Sequence, residues 1–347
     1  MEVSVGTAYS DLSVMTKKKK RKFCAIALSA FVIALVLRAF VFESYRMPAS
    51  QMENAVLKGD YLFVNKLSYG IHIPMTWLSF PFVPDSIPAL GIKTYSSLFS
   101  LPYIKFFASR IKRNDVVLYN IPSLRKDLPV DKLPLSISRC VGLPGDSIEM
   151  LAGNYFVNAK KVAQSPDLIL PYKYSRHFEP QITYAMNKLH IPNKKMFSSG
   201  DSAIRYFSRF EAYSLREELP DSININLEER EDLNYKLFIP SKGFAIKLTP
   251  ENLHIYGQII LEEQKDNATL ENEALYMENK LVEYYIFKSD YYWMLSDNTE
   301  ASADSRHFGF ISETHIVGKA NLIWMSKDTG QSFFKGYRKD RIFSKIY

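Results

Sequence analysis

The sequence predicts a mainly β protein that is preceded by one membrane-spanning helix. The run 23–42 contains only two polar side chains and follows a block of six basic residues at 17–22. Beyond this run, short alternating segments are separated by Gly, Pro and Asp, which is the pattern of strands joined by turns. With 347 residues and 47% hydrophobic content, the chain can bury one large or two medium cores.

The apolar run 23–42 has the length of a membrane-spanning helix. Its 20 residues, at about 1.5 Å each, give about 30 Å, which is the thickness of a bilayer core. The run ends in Arg-Ala-Phe-Val-Phe-Glu rather than in small residues, which favours a retained anchor over a cleaved signal peptide or a buried helix. Arg38 lies near the far end, where its side chain can reach the interface.

The distribution of charge argues against nucleic-acid binding. Residues 1–22 carry +4 of the net charge of +7, which leaves +3 for the rest. Nucleic-acid-binding proteins spread basic residues over a folded surface, whereas here they adjoin an apolar segment, which indicates a lipid bilayer as partner. Cys24 lies in the apolar run and Cys140 in the folded region, so we expect no disulfide between them, no metal site and no cofactor.

The first part of the chain beyond residue 42 is predicted to be mostly strands. Apolar and polar side chains alternate over 60–66, and 116–121 form a short buried-type run, so each is predicted to be a strand. Residues 136–150 are predicted to form two strands around a turn, and 151–160 a hairpin. Residues 71–113 are rich in proline and aromatic side chains and lack periodicity. This loop either packs irregularly on a core or rests on the bilayer interface.

The region 161–280 has the weakest sequence signals. Charged and polar residues dominate 174–235. Thr249, Pro250 and Glu251 have the order of a helix N-cap, a first-turn proline and a first-turn acid, which predicts a helix of about three turns toward Ile260. Two further strands are predicted after this region, at 282–288 and 291–295.

Three motifs stand out along the sequence. The segment 46–70 contains Met-Pro-x-x-x-Met, then Leu-x-Gly-Asp and an alternating strand. Residues 139–146 read Arg-x-Val-Gly-Leu-Pro-Gly-Asp. Residues 296–310 contain Ser-Asp-Asn, then Ser-x-Asp-Ser-Arg and Phe-Gly, and Val-Gly-Lys-Ala follows at 317–320. These motifs resemble those of bacterial type I signal peptidases, the membrane-bound serine proteases that cut signal peptides from exported proteins, and they occur in that family's order.

The resemblance implies the signal-peptidase-type β-rich core with an inserted second subdomain. The expected parts are a cytoplasmic basic tail at 1–22, a transmembrane helix at 23–42, a β core at 43–160 and 281–325, a variable subdomain at 161–280 and a C-terminal tail at 326–347. The expected location is the bacterial inner membrane, crossed once. The N-terminus would lie in the cytoplasm and the main domain on the exported side.

The resemblance also assigns catalytic roles to positions where this sequence has other residues. Gln51 stands at the position of the nucleophilic serine and Ser138 at that of the lysine base. Ala49 replaces the serine whose hydroxyl contributes to the oxyanion hole, whereas the lysine-orienting serine is retained as Ser302. A glutamine amide is not a nucleophile, and in a well-studied serine protease losing the nucleophile or the base costs about a millionfold in turnover. We therefore expect no catalytic residues.

The retained positions of the motifs are turn formers and residues able to form ion pairs. We expect them to hold the β fold together. They are Gly59, Asp60, Arg139, Gly142, Pro144, Gly145, Asp146, Asp297, Asn298, Asp304, Ser305 and Arg306.

Three functions are compatible with the sequence. The first is a non-catalytic homologue that binds signal peptides, or partners an active signal peptidase, in protein export; an added peptide strand would draw affinity from backbone hydrogen bonds. The second is an active signal peptidase with a rearranged site, in which Ser50 attacks and the base is His72, His307, His315 or a lysine. Adjacent residues of extended chain face opposite sides, so we expect Ser50 to point away from the cleft. The third is a membrane-anchored structural scaffold.

Overall fold

The computed structural model describes residues 5–72, 86–87, 92–93, 105–106, 109–122, 128–151, 153–228, 234–301, 304–332 and 335–346. Its helices are α1 (Val5–Phe40), α2 (Glu179–Lys188), α3 (Arg209–Glu218), α4 (Pro250–Gln264) and α5 (Ser305–Phe308). The strands up to residue 161 are β1 (Phe42–Arg46), β2 (Asp60–Asn65), β3 (Ile71–His72), β4 (Ser86–Ile87), β5 (Ile92–Lys93), β6 (Lys105–Phe106), β7 (Val116–Asn120), β8 (Leu135–Gly142), β9 (Ser147–Leu151), β10 (Asn154–Val157) and β11 (Lys160–Lys161).

The remaining strands belong to the second half of the chain. They are β12 (Ile169–Ser175), β13 (Met196–Ser199), β14 (Ser202–Ser208), β15 (Asn226–Leu227), β16 (Tyr235–Phe238), β17 (Ala245–Lys247), β18 (Ala268–Glu271), β19 (Ala274–Met277), β20 (Lys280–Val282), β21 (Tyr284–Ile286), β22 (Tyr291–Leu295), β23 (Ile311–Ser312), β24 (Ile316–Ser326) and β25 (Ser344–Lys345). The prediction of a mainly β protein is confirmed.

The first helix differs in extent from the helix expected at 23–42. It begins at Val5, so it includes most of the basic tail, and it ends at Phe40, where β1 takes over two residues later. Its apolar part exposes large side chains, namely Phe23, Ile26, Leu28, Phe31, Val32, Ile33, Val36 and Leu37. Across the described ranges, no helix satisfies the combined requirement of length and apolarity for a membrane span.

One antiparallel sheet of eight strands brings the three sequence motifs together. Its strand order is β1-β2-β24-β7-β8-β22-β23, and β25 also pairs with β24. In this sheet Asp60 lies opposite Ser326, and Arg139 lies opposite Leu295. Strands that are far apart in sequence are therefore neighbours, and the loops at their ends converge.

The central strand β7 is buried on both faces. Val116 and Leu118 belong to one apolar cluster, and Val117 and Tyr119 belong to a second cluster on the opposite face. This division follows from the alternation of side chains along a strand. Because β7 is covered on both sides, it is a fixed support for its neighbours β8 and β24.

The segment between β1 and β2 packs on this sheet through apolar side chains. Met47, Met52 and Val56 are fully buried in the same cluster as Leu118 and Ile137. Their burial fixes the course of the chain around residue 51 from both sides. The turn into β2 needs glycine, since Gly59 has φ +91° and a Cβ there would lie 2.1 Å from the Lys327 carbonyl oxygen.

The inserted region contains its own sheets and helices. Strands β13-β14-β12-β15 form one sheet and β18-β19-β20 form another. The sheet β11-β10-β9-β16 instead joins β16 of this region to strands that precede residue 162. The predicted helix is α4, whose N-cap Thr249 accepts a hydrogen bond from the Asn252 N–H at 3.2 Å. It runs to Gln264, four residues beyond the expected end at Ile260, and the Gln264 side chain is buried.

Some expected elements differ from those observed, and others lie outside the described residues. The strand predicted at 282–288 is divided, because β20 pairs with β19 whereas β21 pairs with β17. Of the loop 71–113, the structure describes β3 paired with β6, β4 paired with β5, and residues 109–113; the rest is outside the described residues. The choice between core packing and bilayer contact for this loop stays a prediction, as do the domain boundaries.

Candidate functional site

Gln51 lies buried where the three sequence motifs meet. Its side-chain Nε2 donates to the Ser136 hydroxyl at 3.1 Å and to the Ile137 carbonyl at 2.9 Å. Its own backbone carbonyl accepts from the Asn298 N–H at 3.0 Å. Only 6% of Gln51 is exposed, so the carboxamide fills the space beside β8 rather than facing solvent.

The residues before Gln51 offer little for acyl transfer. The Ala49 methyl group is exposed and has no hydroxyl to donate to an oxyanion. Ser50 is half-buried, and its backbone carbonyl accepts from the Asn298 side-chain amide at 3.1 Å and from the Glu53 N–H at 3.0 Å. Within the described part of the chain, the Ser50 hydroxyl has no hydrogen-bonded general base.

Ser138, at the position of the base, is part of a neutral hydroxyl network. Its Oγ is fully buried and donates to the Ile137 carbonyl at 2.8 Å; it lies 3.1 Å from the Tyr119 hydroxyl and 3.3 Å from the Ser296 hydroxyl. Burial raises the pKa of Tyr119 to about 12, so the phenol stays protonated at neutral pH. The network holds strands together and supplies no neutral amine.

The histidines considered as alternative bases are placed differently from one another. His315 is buried, with Nε2 3.0 Å from the Glu262 carboxylate and Nδ1 3.3 Å from the Thr314 hydroxyl. His307 is exposed at the end of α5. His72 lies in β3, but its side chain is outside the described residues, as is the whole of Ser302.

A bidentate ion pair joins the second and third motifs. The Arg139 guanidinium donates to the two carboxylate oxygens of Asp297 at 2.9 and 2.6 Å. The side chains are only 6% and 3% exposed, so removing either one would leave the other as an uncompensated buried charge. The pair holds β8 and the turn after β22 in register, which also positions Asn298 against Gln51.

A second ion pair lies within the third motif. The Asp304 carboxylate accepts from the Ser296 N–H at 2.8 Å and pairs with Arg306 at 2.7 Å. Burial alone would lower the pKa of Arg306, but the hydrogen bond and charge of Asp304 outweigh it, so the guanidinium is held charged. Ser305 contributes its hydroxyl as acceptor for the Met294 N–H at 2.9 Å.

The turn after β8 is built as the motif predicts. Gly145 has φ +86°, which favours glycine, and Pro144 precedes it. The Asp146 carboxylate accepts from the Leu143 N–H at 2.8 Å and pairs with Arg113 at 3.0 Å. These contacts fix the turn that leads into β9.

Asp60 has a set of partners that local sequence patterns do not reveal. Its fully buried carboxylate accepts from the Leu57 N–H at 2.8 Å and the Ser326 hydroxyl at 2.6 Å. Arg341 and Arg338 reach it from the C-terminal segment at 2.8 and 3.4 Å. Residues 326–347, expected only as a tail, therefore brace the segment that carries Gln51. The only signal in the sequence is that residues 326–347 contain six basic side chains, two of them arginine.

A small cavity adjoins the Arg139–Asp297 pair. Its volume is about 20 Å³, and its lining includes Arg139, Tyr155, Gln164 and Asp297. The Tyr155 hydroxyl and the Gln164 side-chain oxygen have no hydrogen-bond partner among the described residues. One water molecule fits such a volume. The described residues contain no His, Cys, Asp and Glu cluster that could hold a metal ion.

Comparisons with known proteins agree with the motifs. The family described as "Signal peptidase, peptidase S26" matches residues 20–209 and 223–325. A signal peptidase I of Buchnera aphidicola from Schizaphis graminum is 27% identical over 90% of this chain and 78% of its own length. One from Rickettsia typhi is 24% identical over 97% of both chains, and one from Helicobacter pylori J99 is 23% identical over 88% of this chain and 82% of its own.

Proposed function

Because this chain belongs to the signal peptidase family, peptidase S26, we propose that it acts in protein export as a member that binds signal peptides without cutting them. The observation that carries this proposal is the environment of Gln51. At the nucleophile position the carboxamide is buried and hydrogen-bonded to β8, and at the base position Ser138 has hydroxyl and carbonyl neighbours.

The chemistry of these residues supports the absence of cleavage. Acyl transfer by this type of site needs a hydroxyl activated by a neutral amine and donors aimed at the oxyanion. Gln51 supplies an amide in place of the hydroxyl, Ser138 a hydroxyl in place of the amine, and Ala49 no donor. The three replacements remove nucleophile, base and oxyanion donor together, so a single compensating shift in the chain would not restore the reaction.

The edge of β8 supports peptide binding. Strand β22 pairs only with the second half of β8, at Arg139, Cys140 and Gly142, whereas β7 pairs with it from Leu135 to Arg139. In the described part of the chain, residues 135–138 thus have a partner strand on one side only. An extended signal peptide added on the other side would extend the sheet, a mode in which backbone hydrogen bonds supply affinity. We include in the proposal that an active signal peptidase receives the bound peptide.

A bilayer location is part of the proposal. The apolar face of α1 is exposed, and the sheet adjoining its end displays further aromatic side chains: Phe42 stacks on Phe63 at 5.1 Å, and Tyr61 contacts Trp324 at 5.7 Å. Aromatic rings are favoured at the membrane interface. We propose that α1 anchors the chain with residues 1–22 in the cytoplasm. Protease added on the exported side of the membrane should then degrade the main domain and spare an N-terminal tag. Loss of the tag would contradict this topology.

The catalytic part of the proposal is tested with the full-length chain and a purified precursor protein. We expect precursor cleavage at the rate measured without protein, and the same rate for Ser50→Ala. Binding is measured separately, as the fluorescence anisotropy of a labelled signal peptide. We expect saturable binding to the wild-type chain.

Two outcomes would contradict the proposal. Cleavage by the wild-type chain that Ser50→Ala abolishes would establish the rearranged active site instead. No cleavage and no saturable peptide binding would favour the scaffold function. As a positive control for the cleavage assay, an active signal peptidase is incubated with the same precursor.

A further inference from the structure

The backbone carbonyls of β8 alternate between its two edges. Cys140 exchanges hydrogen bonds with the β7 side, since its N–H donates to the Asp115 carbonyl at 2.8 Å and its carbonyl accepts from the Asn114 N–H at 2.7 Å. The Pro134 carbonyl likewise accepts from the Ile121 N–H at 2.7 Å. Because both backbone groups of one residue face the same edge in an antiparallel pair, Leu135 and Ile137 face away from β7.

Both outward carbonyls are hydrogen-bonded by side chains of one distant segment. The Ile137 carbonyl accepts from Gln51 Nε2 at 2.9 Å. The Leu135 carbonyl accepts from the Tyr45 hydroxyl at 3.4 Å, a long contact that makes Gln51 the stronger of the two. The segment 45–51 thus places one donor on each outward carbonyl of this half-strand.

These two donors occupy the positions that an added strand would use. In a β ladder, every second residue of a strand presents its N–H to the same neighbour. The acceptors Leu135 and Ile137 are two residues apart, which is the spacing that successive N–H groups of an extended peptide would meet. A peptide adding to this edge must therefore displace the Gln51 carboxamide.

We propose that Gln51 is an internal competitor for peptide binding: its carboxamide closes the β8 edge, and residue 51 sets the affinity of this chain for extended peptides. This inference rests on the proposed function and adds a regulatory contact to the same site. The Gln51 backbone is held by Asn298 independently of the side chain, so the carboxamide can leave the edge while the loop stays in place.

The test measures the binding of a fluorescein-labelled synthetic signal peptide that ends in Ala-x-Ala to the full-length chain in detergent, by anisotropy. Gln51→Ala removes the competing donor and is expected to lower the Kd about tenfold, equivalent to about 1.4 kcal/mol. A second peptide, methylated on alternate backbone nitrogens, cannot form the ladder, so Gln51→Ala should not increase its affinity.

A matched control is Gln181→Ala, the same substitution at an exposed position of α2, which should leave the Kd unchanged. Should Gln51→Ala fail to fold, Tyr45→Phe is tested instead, because it removes the hydroxyl that donates to the Leu135 carbonyl and leaves the ring in place. We expect its Kd to fall about twofold, in keeping with a weak hydrogen bond. Circular dichroism of each variant verifies the fold.

The outcomes separate this inference from the proposed function. If the wild-type chain binds the peptide and Gln51→Ala and Tyr45→Phe bind it with the same or higher Kd, the competitor role is refuted while peptide binding stands. If neither the wild-type chain nor either variant binds the peptide, the competitor role and the proposed peptide binding are both refuted. Tighter binding by Gln51→Ala to the unmethylated peptide alone supports the inference.

Discussion

The bracing of Asp60 by the C-terminal segment yields a quantitative prediction. Asp60→Asn keeps the shape of the side chain but replaces one carboxylate oxygen by an NH₂ group. That group faces donors on every side: the Leu57 N–H, the Ser326 hydroxyl and two guanidinium groups. The substitution therefore removes a charge and turns at least one hydrogen bond into a donor–donor contact.

The expected loss of stability follows from these contacts. Breaking a buried ion pair costs about 3–5 kcal/mol, and a hydrogen bond to a charged group contributes about 1.5–3 kcal/mol. The Arg338 and Arg341 side chains are 27% and 20% exposed, so both can partly rehydrate when the carboxylate is lost. We therefore expect Asp60→Asn to lower the free energy of unfolding by about 2–3 kcal/mol, below the full cost of a buried pair.

The assay is urea unfolding followed by tryptophan fluorescence, since Trp324 lies in β24 beside the braced segment. The matched control is Asp340→Asn, which makes the same change at an exposed position of the same C-terminal segment. If the two variants unfold within about 0.5 kcal/mol of each other, the range of an ordinary surface substitution, the bracing role of Asp60 is refuted.

Two further predictions concern packing and titration. In Gly142→Ala the new Cβ would lie 2.1 Å from Ile239 Cδ1 and 2.2 Å from Ile148 Cδ1. We therefore expect urea unfolding to show a free energy of unfolding lower by about 1–3 kcal/mol. A variant as stable as the wild type would show that the two isoleucines move aside freely. Burial, with the charge of Asp297, raises the pKa of Asp167 in the folded chain. The stability contributed by the protonated Asp167 carboxyl is thus fully present below the unfolded-state pKa. It is lost as the pH rises through the folded-state pKa. Asp167→Asn should increase the urea midpoint near neutral pH, with a gain that shrinks on acidification; a pH-independent difference would refute this.

Local patterns in the sequence predicted much of the fold. The turn at Pro144, Gly145 and Asp146 and the start of α4 at Thr249 depend on neighbours a few residues away, so their signals are contained in short segments. The strand β22 was predicted with its observed bounds because a continuous apolar run suits a strand buried on both sides. The strand β1 was missed, since it follows α1 after a single residue and carries no turn signal of its own.

The sequence by itself determined the family motifs and which residues stand at the catalytic positions. The tertiary structure alone decided what those residues contact: Gln51 meets Ser136 and Ile137, and Asp60 meets Arg338 and Arg341. The physical reason is that such contacts depend on the pairing of distant strands, β2 with β24 and β8 with β7 and β22, whereas side-chain patterns along one strand report only which face is buried. A glutamine in place of a serine could thus be recognised in the sequence, but its hydrogen bond to the edge of β8 required the folded sheet.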